Sequence, residues 1–135
     1  MRLLTLVALL AAGPALADVS MFRMPSGNIE CTIGTGEGPS DLACVIFERG
    51  GAPAAPPPAG CGAGWGHRFM MWGRGPVQLQ CGAPGMPGLG PEHDFAYGRA
   101  LDFRDIFCQS SRNGLECRNA DGHGFFLSRA RQSVF

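Results

Sequence analysis

Six cysteines, Cys31, Cys44, Cys61, Cys81, Cys108 and Cys117, constrain this chain more than any other feature. An even count behind an export leader reads as a disulfide framework rather than a set of reactive thiols. Many connectivities are open to six cysteines, and the local pattern selects one. Cys31 and Cys44 stand in two strand-like strings separated by a glycine-rich loop, residues 34–40. Cys108 and Cys117 flank a string containing Asn113-Gly114, a strong hairpin turn pair. Each couple can meet across a hairpin, which leaves Cys61 to Cys81. Closing loops of this size adds about 3 kcal/mol per bridge on the chain-entropy model. Structural zinc calls for paired C-x-x-C or closely spaced histidines, and catalytic thiol exchange calls for C-x-x-C. The sequence contains neither pattern.

The first seventeen residues supply the export leader. Arg2 is the positive end, residues 3–12 the apolar stretch, and Ala15-Leu16-Ala17 the small-x-small cleavage pattern. The apolar stretch is about half the length a bilayer-spanning helix needs. Cleavage after Ala17 leaves one domain, residues 18–135, with no cysteine at the new terminus for lipid attachment. No membrane insertion is expected after cleavage, and the compartment is the periplasm or the external medium. Ten arginines face eleven acidic residues in that domain, and no lysine occurs. Arginines scattered singly make no basic stripe, so nucleic acid is not an expected partner. No cofactor is expected either.

Period-2 patterning fixes the fold class. Ile29, Cys31 and Ile33 alternate with Asn28, Glu30 and Thr32; Val77, Leu79 and Cys81 with Gln78 and Gln80; Leu115 and Cys117 with Glu116 and Arg118. Residues 42–47 are apolar on both faces, which suits a central strand. Residues 69–72 and 125–127 complete the set, and Pro25-Ser26-Gly27, Asn113-Gly114 and Asp121-Gly122 supply turns. The expected fold is all-β, a disulfide-stapled sandwich or barrel of about seven to nine short strands. Only residues 128–134 suit a single helical turn. Residues 48–64, with a Pro-rich core, are expected as an extended connector, and residues 82–92 as a long Gly/Pro loop. The strings Ile29-Glu30-Cys31, Leu79-Gln80-Cys81 and Leu115-Glu116-Cys117 share one form, as any amphipathic strand ending on cysteine does.

Several of these strings together carry a resemblance. Residues 22–31 contain Pro25-Ser26-Gly27-Asn28-Ile29-Glu30-Cys31. Later come Gly114-Leu115-Glu116-Cys117-Arg118-Asn119, Gly122-His123-Gly124-Phe125 and Leu127-Ser128-Arg129, along with Trp65-Gly66 and Tyr97-Gly98. The chain resembles a family of small exported bacterial proteins of unknown function with paired cysteines. The resemblance implies export and bacterial origin, and it implies no activity. Ala83-Pro84 departs from the polar pair expected after Cys81-Gly82.

For chemistry, Asn119-Ala120-Asp121-Gly122-His123 is the most site-like stretch. His123 suits a general base or metal ligand, with Asp121 near enough in sequence to orient it. His93, between Glu92 and Asp94, is a possible helper, although neighbours in a strand face opposite ways. The competing account of residues 119–123 is a tight Asp-Gly turn leading into the last strands. No G-x-S-x-G elbow occurs, residues 34–38 open no helix that would cradle phosphate, and an EF-hand alignment puts Cys117 where a carboxylate ligand belongs. Trp65, Phe69, Trp72 and Tyr97 suit core and rim positions. The leading expectation is a non-enzymatic binding or inhibitor-like module whose partner is a protein or envelope ligand. The alternatives are a small envelope hydrolase or metal-dependent enzyme using His123 and Asp121, and a structural envelope component.

Overall fold

The computed structural model describes residues 19–88 and 93–135, with His93 described by its backbone alone. Residues 1–17, read above as the leader, and residues 89–92, with Glu92 among them, lie outside the described residues. Among the described residues no helix is long and apolar enough to cross a membrane.

Two sheets face each other across one core. The first contains β1 (Val19–Arg23), β2 (Ile29–Gly34), β3 (Asp41–Ile46), β4 (Arg68–Trp72) and β5 (Gln78–Gln80), all antiparallel. A two-residue parallel strand, β6 (His93–Asp94), extends it beside β1, giving the order β5-β4-β3-β2-β1-β6. The second runs β11 (Gln132–Val134), β10 (Gly124–Leu127), β9 (Gly114–Asn119), β8 (Ile106–Ser111), β7 (Ala100–Asp102). Of the two architectures the sequence allows, this is the sandwich. Eleven strands among the described residues exceed the seven to nine expected, because β6, β7 and β11 are too short to show a period. The chain's 3-10 turn, Gly62–Gly64, is the sole helical element among the described residues.

Alternation decides which side chains enter the core. Ile29, Cys31 and Ile33 of β2 meet Leu42, Cys44 and Ile46 of β3, and all six are buried. From the other sheet come Ile106, Cys108, Leu115, Cys117, Phe125 and Leu127, also buried. Phe69 and Phe125 cross between the sheets with ring centroids 5.7 Å apart. Burying a side chain of this size stabilises by roughly 1.5–3 kcal/mol. Residues 42–47 do form a central strand, since β3 lies between β2 and β4.

The disulfides join Cys31 to Cys44, Cys61 to Cys81, and Cys108 to Cys117. Two of them link residues directly opposite in a hairpin ladder, and these are buried. The third ties the end of the Pro-rich connector to the residue after β5 and is the more exposed one. The connector itself is held by Trp65, whose Nε1 donates to the Ala55 carbonyl at 2.7 Å.

Two turns and two glycines depart from what the period alone suggests. Asn113-Gly114 does not form the turn centre; the loop is Arg112-Asn113, and Gly114 already pairs with Ser111. Residues 128–134 make no helical turn. Ser128 Oγ accepts from Arg131 N at 3.1 Å, the chain reverses, and Gln132–Val134 joins the open flank of β10. A hydroxyl-capped turn beside a free strand edge outcompetes one isolated helical turn, whose nucleation is unfavourable. Gly114 and Gly124 sit under aromatic rings: a Cβ at Gly124 would lie 2.9 Å from the Phe135 ring, and one at Gly114 would lie 2.7 Å from the Phe126 ring. Here phenylalanines from neighbouring strands fill the place of missing side chains.

Candidate functional site

Residues 119–123 form a polar knot. Asn119 Nδ2 donates to the carbonyls of Trp72 (2.9 Å) and Gly75 (2.7 Å). Its Oδ1 accepts from the backbone amides of Asp121 and His123, both at 3.1 Å. One amide therefore fastens the β9–β10 turn and ties it to the β4–β5 connection in the opposite sheet. Asp121 completes the tie. Its Oδ2 accepts from Gly75 N at 2.8 Å, and its Oδ1 receives Arg74 Nη1 at 3.0 Å. The carboxylate that the sequence assigned to orienting His123 is thus committed to the β4–β5 connection. His123 is half-buried in the turn and meets Asn119 through its backbone.

His93 does not join this cluster. The knot packs on the end of β4, whereas β6 lies four strand steps away across the first sheet. At ~4.8 Å per step that is about 19 Å. Next to it, Asp94 Oδ1 receives Arg23 at 3.2–3.3 Å, and Glu92 lies outside the described residues. The remaining histidine, His67, places Nδ1 2.8 Å from the Ile46 carbonyl. Among the described residues no three His, Cys, Asp or Glu side chains converge as a metal would need.

The strings that carry the family resemblance converge elsewhere. Ser26 and Asn28 from the β1–β2 turn, Asn113 from the β8–β9 turn with Gly114 at the start of β9, and Leu127 at the end of β10 with Ser128 and Arg129 after it line one hollow of about 160 Å³, with Tyr97 beside them. Most of their polar groups are already used. Asn28 clasps Glu48 in both directions at 2.8 Å. Ser26 and Ser128 accept from amides within their own turns. Arg129 meets Glu48 at 2.8 Å, and Arg112 lies over the Tyr97 ring. The arrangement suits three turns locked to one another.

The Gly/Pro loop is anchored at two points along residues 82–88. Arg68 donates to the Ala83 carbonyl at 2.7 and 3.0 Å. Gly88 N donates to the buried Glu30 carboxylate at 3.0–3.1 Å. Between these anchors Met86 is 89% exposed.

A different region combines an apolar-lined cleft with unused polar groups. On one flank β6 and β7 are the last strands of their sheets among the described residues. A cleft of about 460 Å³ lies there, lined by Met21 and Phe22 of β1, Phe95 and Ala96 after β6, and Leu101 and Phe103. Phe22 stacks on Phe103 at 6.1 Å and meets Phe95 edge-on at 5.4 Å, so three rings make a firm floor. Arg99 and Asp94 stand at the rim. Asp94 is taken by Arg23; the Arg99 guanidinium has no hydrogen-bond or ion-pair partner among the described residues. Phe22, Phe95 and Phe103 are isolated in the chain, so no period announces this cleft. The one signal is the closeness in sequence of Phe95, Tyr97, Leu101 and Phe103, which fall after β6, within β7 and just beyond it.

A fold of small sheets stapled by disulfides, with no assembled catalytic cluster among its described residues, belongs to a domain class defined by architecture. The chain belongs to a family of unknown function (DUF6636), whose model matches residues 2–135. No curated protein and no solved structure matches it.

Proposed function

We propose that this protein is an exported, non-enzymatic binding module whose working surface is the lateral cleft between β6 and β7. The observation that carries the reading is a cleft of about 460 Å³ walled by Met21, Leu101 and Phe103 and backed by the packed, nearly buried rings of Phe22 and Phe95. That volume lies within the range of small-ligand sites, roughly 300–1,000 Å³. A rigid stapled scaffold lowers the ordering cost of binding. Three disulfides in a domain of this size fit an oxidising compartment. Removal of residues 1–17 after Ala17 would deliver the chain to the periplasm or beyond, and N-terminal sequencing of the mature protein should begin at Asp18.

The test is titration of the oxidised protein with the apolar anionic dye anilinonaphthalene sulfonate. Saturable binding at one site is expected, and Ala96→Trp, which fills the cleft from an exposed position, should abolish it without changing the unfolding midpoint. Dye binding that survives Ala96→Trp places the ligand surface elsewhere. Concentration-dependent sedimentation run alongside separates ligand binding from self-association.

A further inference from the structure

The rim of the cleft says more about the occupant than its floor does. β7 is the last strand of its sheet, pairing with β8 alone. Phe103 N donates to the Ile106 carbonyl, and Ser110 N donates to the Arg99 carbonyl, so residues 99, 101 and 103 direct their backbone groups toward β8. Alternation turns the amides and carbonyls of Ala100 and Asp102 the other way. Both residues are exposed, and no described strand pairs with them on that side. Such an edge is a template for an added strand.

Leu101, between them, points inward with its ladder partner Cys108 and forms part of the cleft wall. Arg99 stands at the N-terminal end of β7, on the cleft rim, and its guanidinium has no partner among the described residues. An acyl chain would fill the cleft but leave the outward amides and carbonyls of Ala100 and Asp102 unanswered. A peptide answers them.

Deepening the cleft-binding reading, on which it rests, we infer that the occupant is the C-terminal end of an extended apolar peptide added antiparallel to β7, with its terminal carboxylate on Arg99. Antiparallel addition is what brings a C-terminus to the N-terminal end of β7. β7 spans three residues, about 10 Å, so three to five peptide residues suffice. One apolar side chain opposite Leu101 enters the cleft, its neighbours face solvent, and a guanidinium–carboxylate contact fixes the register.

The experiment selects from a random hexapeptide library displayed with free C-termini on the oxidised protein, then measures the best sequence by fluorescence polarisation. The expected result is a consensus with apolar residues at alternate positions near the C-terminus. C-terminal amidation should weaken binding at least tenfold, and Arg99→Gln should do the same to the free acid while leaving the amide unaffected. Ala100→Pro removes an outward amide that the ladder does not use, a position where an edge strand accepts proline, and should abolish peptide binding while dye binding persists. If that variant fails to fold, the amidated peptide and Arg99→Gln still decide the question. Dye binding with no peptide consensus, or peptide affinity indifferent to both amidation and Arg99→Gln, overturns the inference and leaves the cleft standing. Displacement of the dye by dodecanoate and by no selected peptide assigns the cleft to an acyl chain and overturns it too. Loss of dye binding as well would bring down the underlying reading.

Discussion

The two ends of this molecule treat their polar groups in opposite ways. At the β9–β10 turn, Asn119 makes four hydrogen bonds and Asp121 two more, each joining one sheet to the other or closing a turn. At the open flank, the backbone groups of Ala100 and Asp102 and the Arg99 guanidinium are unused among the described residues, and they border a floor of aromatic rings. The first region holds the residue types that usually announce a site: a histidine, a carboxylate, an asparagine and glycines. The second holds phenylalanines and one arginine. In a small sandwich, convergent polar side chains are as readily the fastening of a turn as the start of chemistry. Unspent groups beside an apolar cleft are the better pointer to a ligand.

The contrast can be broken by mutation, and the strongest blow falls on the fastened side. Replacing Cys108 and Cys117 together by serine removes a buried bridge from the middle of the β8–β9 ladder. It should cost about 3 kcal/mol or more, read from the urea midpoint of the oxidised protein. Asn119→Ala should follow at about 2–3 kcal/mol, because it strips partners from two carbonyls and two amides at once, one side chain making all four contacts. Cleft binding by the same variant, measured well below its unfolding midpoint, should be unchanged. A comparable loss of dye affinity would show that the two regions are one energetic unit.

Arg74→Ala removes an exposed pair with Asp121 and should cost at most about 1 kcal/mol, shrinking further in high salt. Smallest of all, Arg99→Gln should leave the unfolding midpoint where it is, since no described contact depends on the guanidinium. A clear destabilisation would mean that Arg99 is structural. Partial reduction followed by alkylation and mass mapping sharpens the picture from another side. The more exposed Cys61–Cys81 bridge should open before the two buried ones.

Much of the fold was legible because its information is local. Period-2 strings that end on cysteine specify which face is buried, and a bridge between opposite residues of a hairpin needs little more than two strings and a loop. Cys31 with Cys44 and Cys108 with Cys117 follow from that alone, and Cys61 with Cys81 by remainder. The short strands β6, β7 and β11 were not legible, since two or three residues carry no period. Residues 128–134 misled because the deciding partner, the free flank of β10, comes from the sheet rather than from the string itself.

The pairing of His123 with Asp121 looked plausible from nearness in sequence. What decides it is the Gly75 amide and Arg74, more than forty residues away along the chain. The amino-acid sequence by itself determined that this is an all-β chain and which cysteines are joined, because alternation and hairpin closure act between near neighbours. Only the tertiary structure decided which polar residues are spent and which apolar ones are left uncovered. That is a property of how two sheets stack and where their last strands stop, and no single stretch of the chain encodes where the other sheet ends.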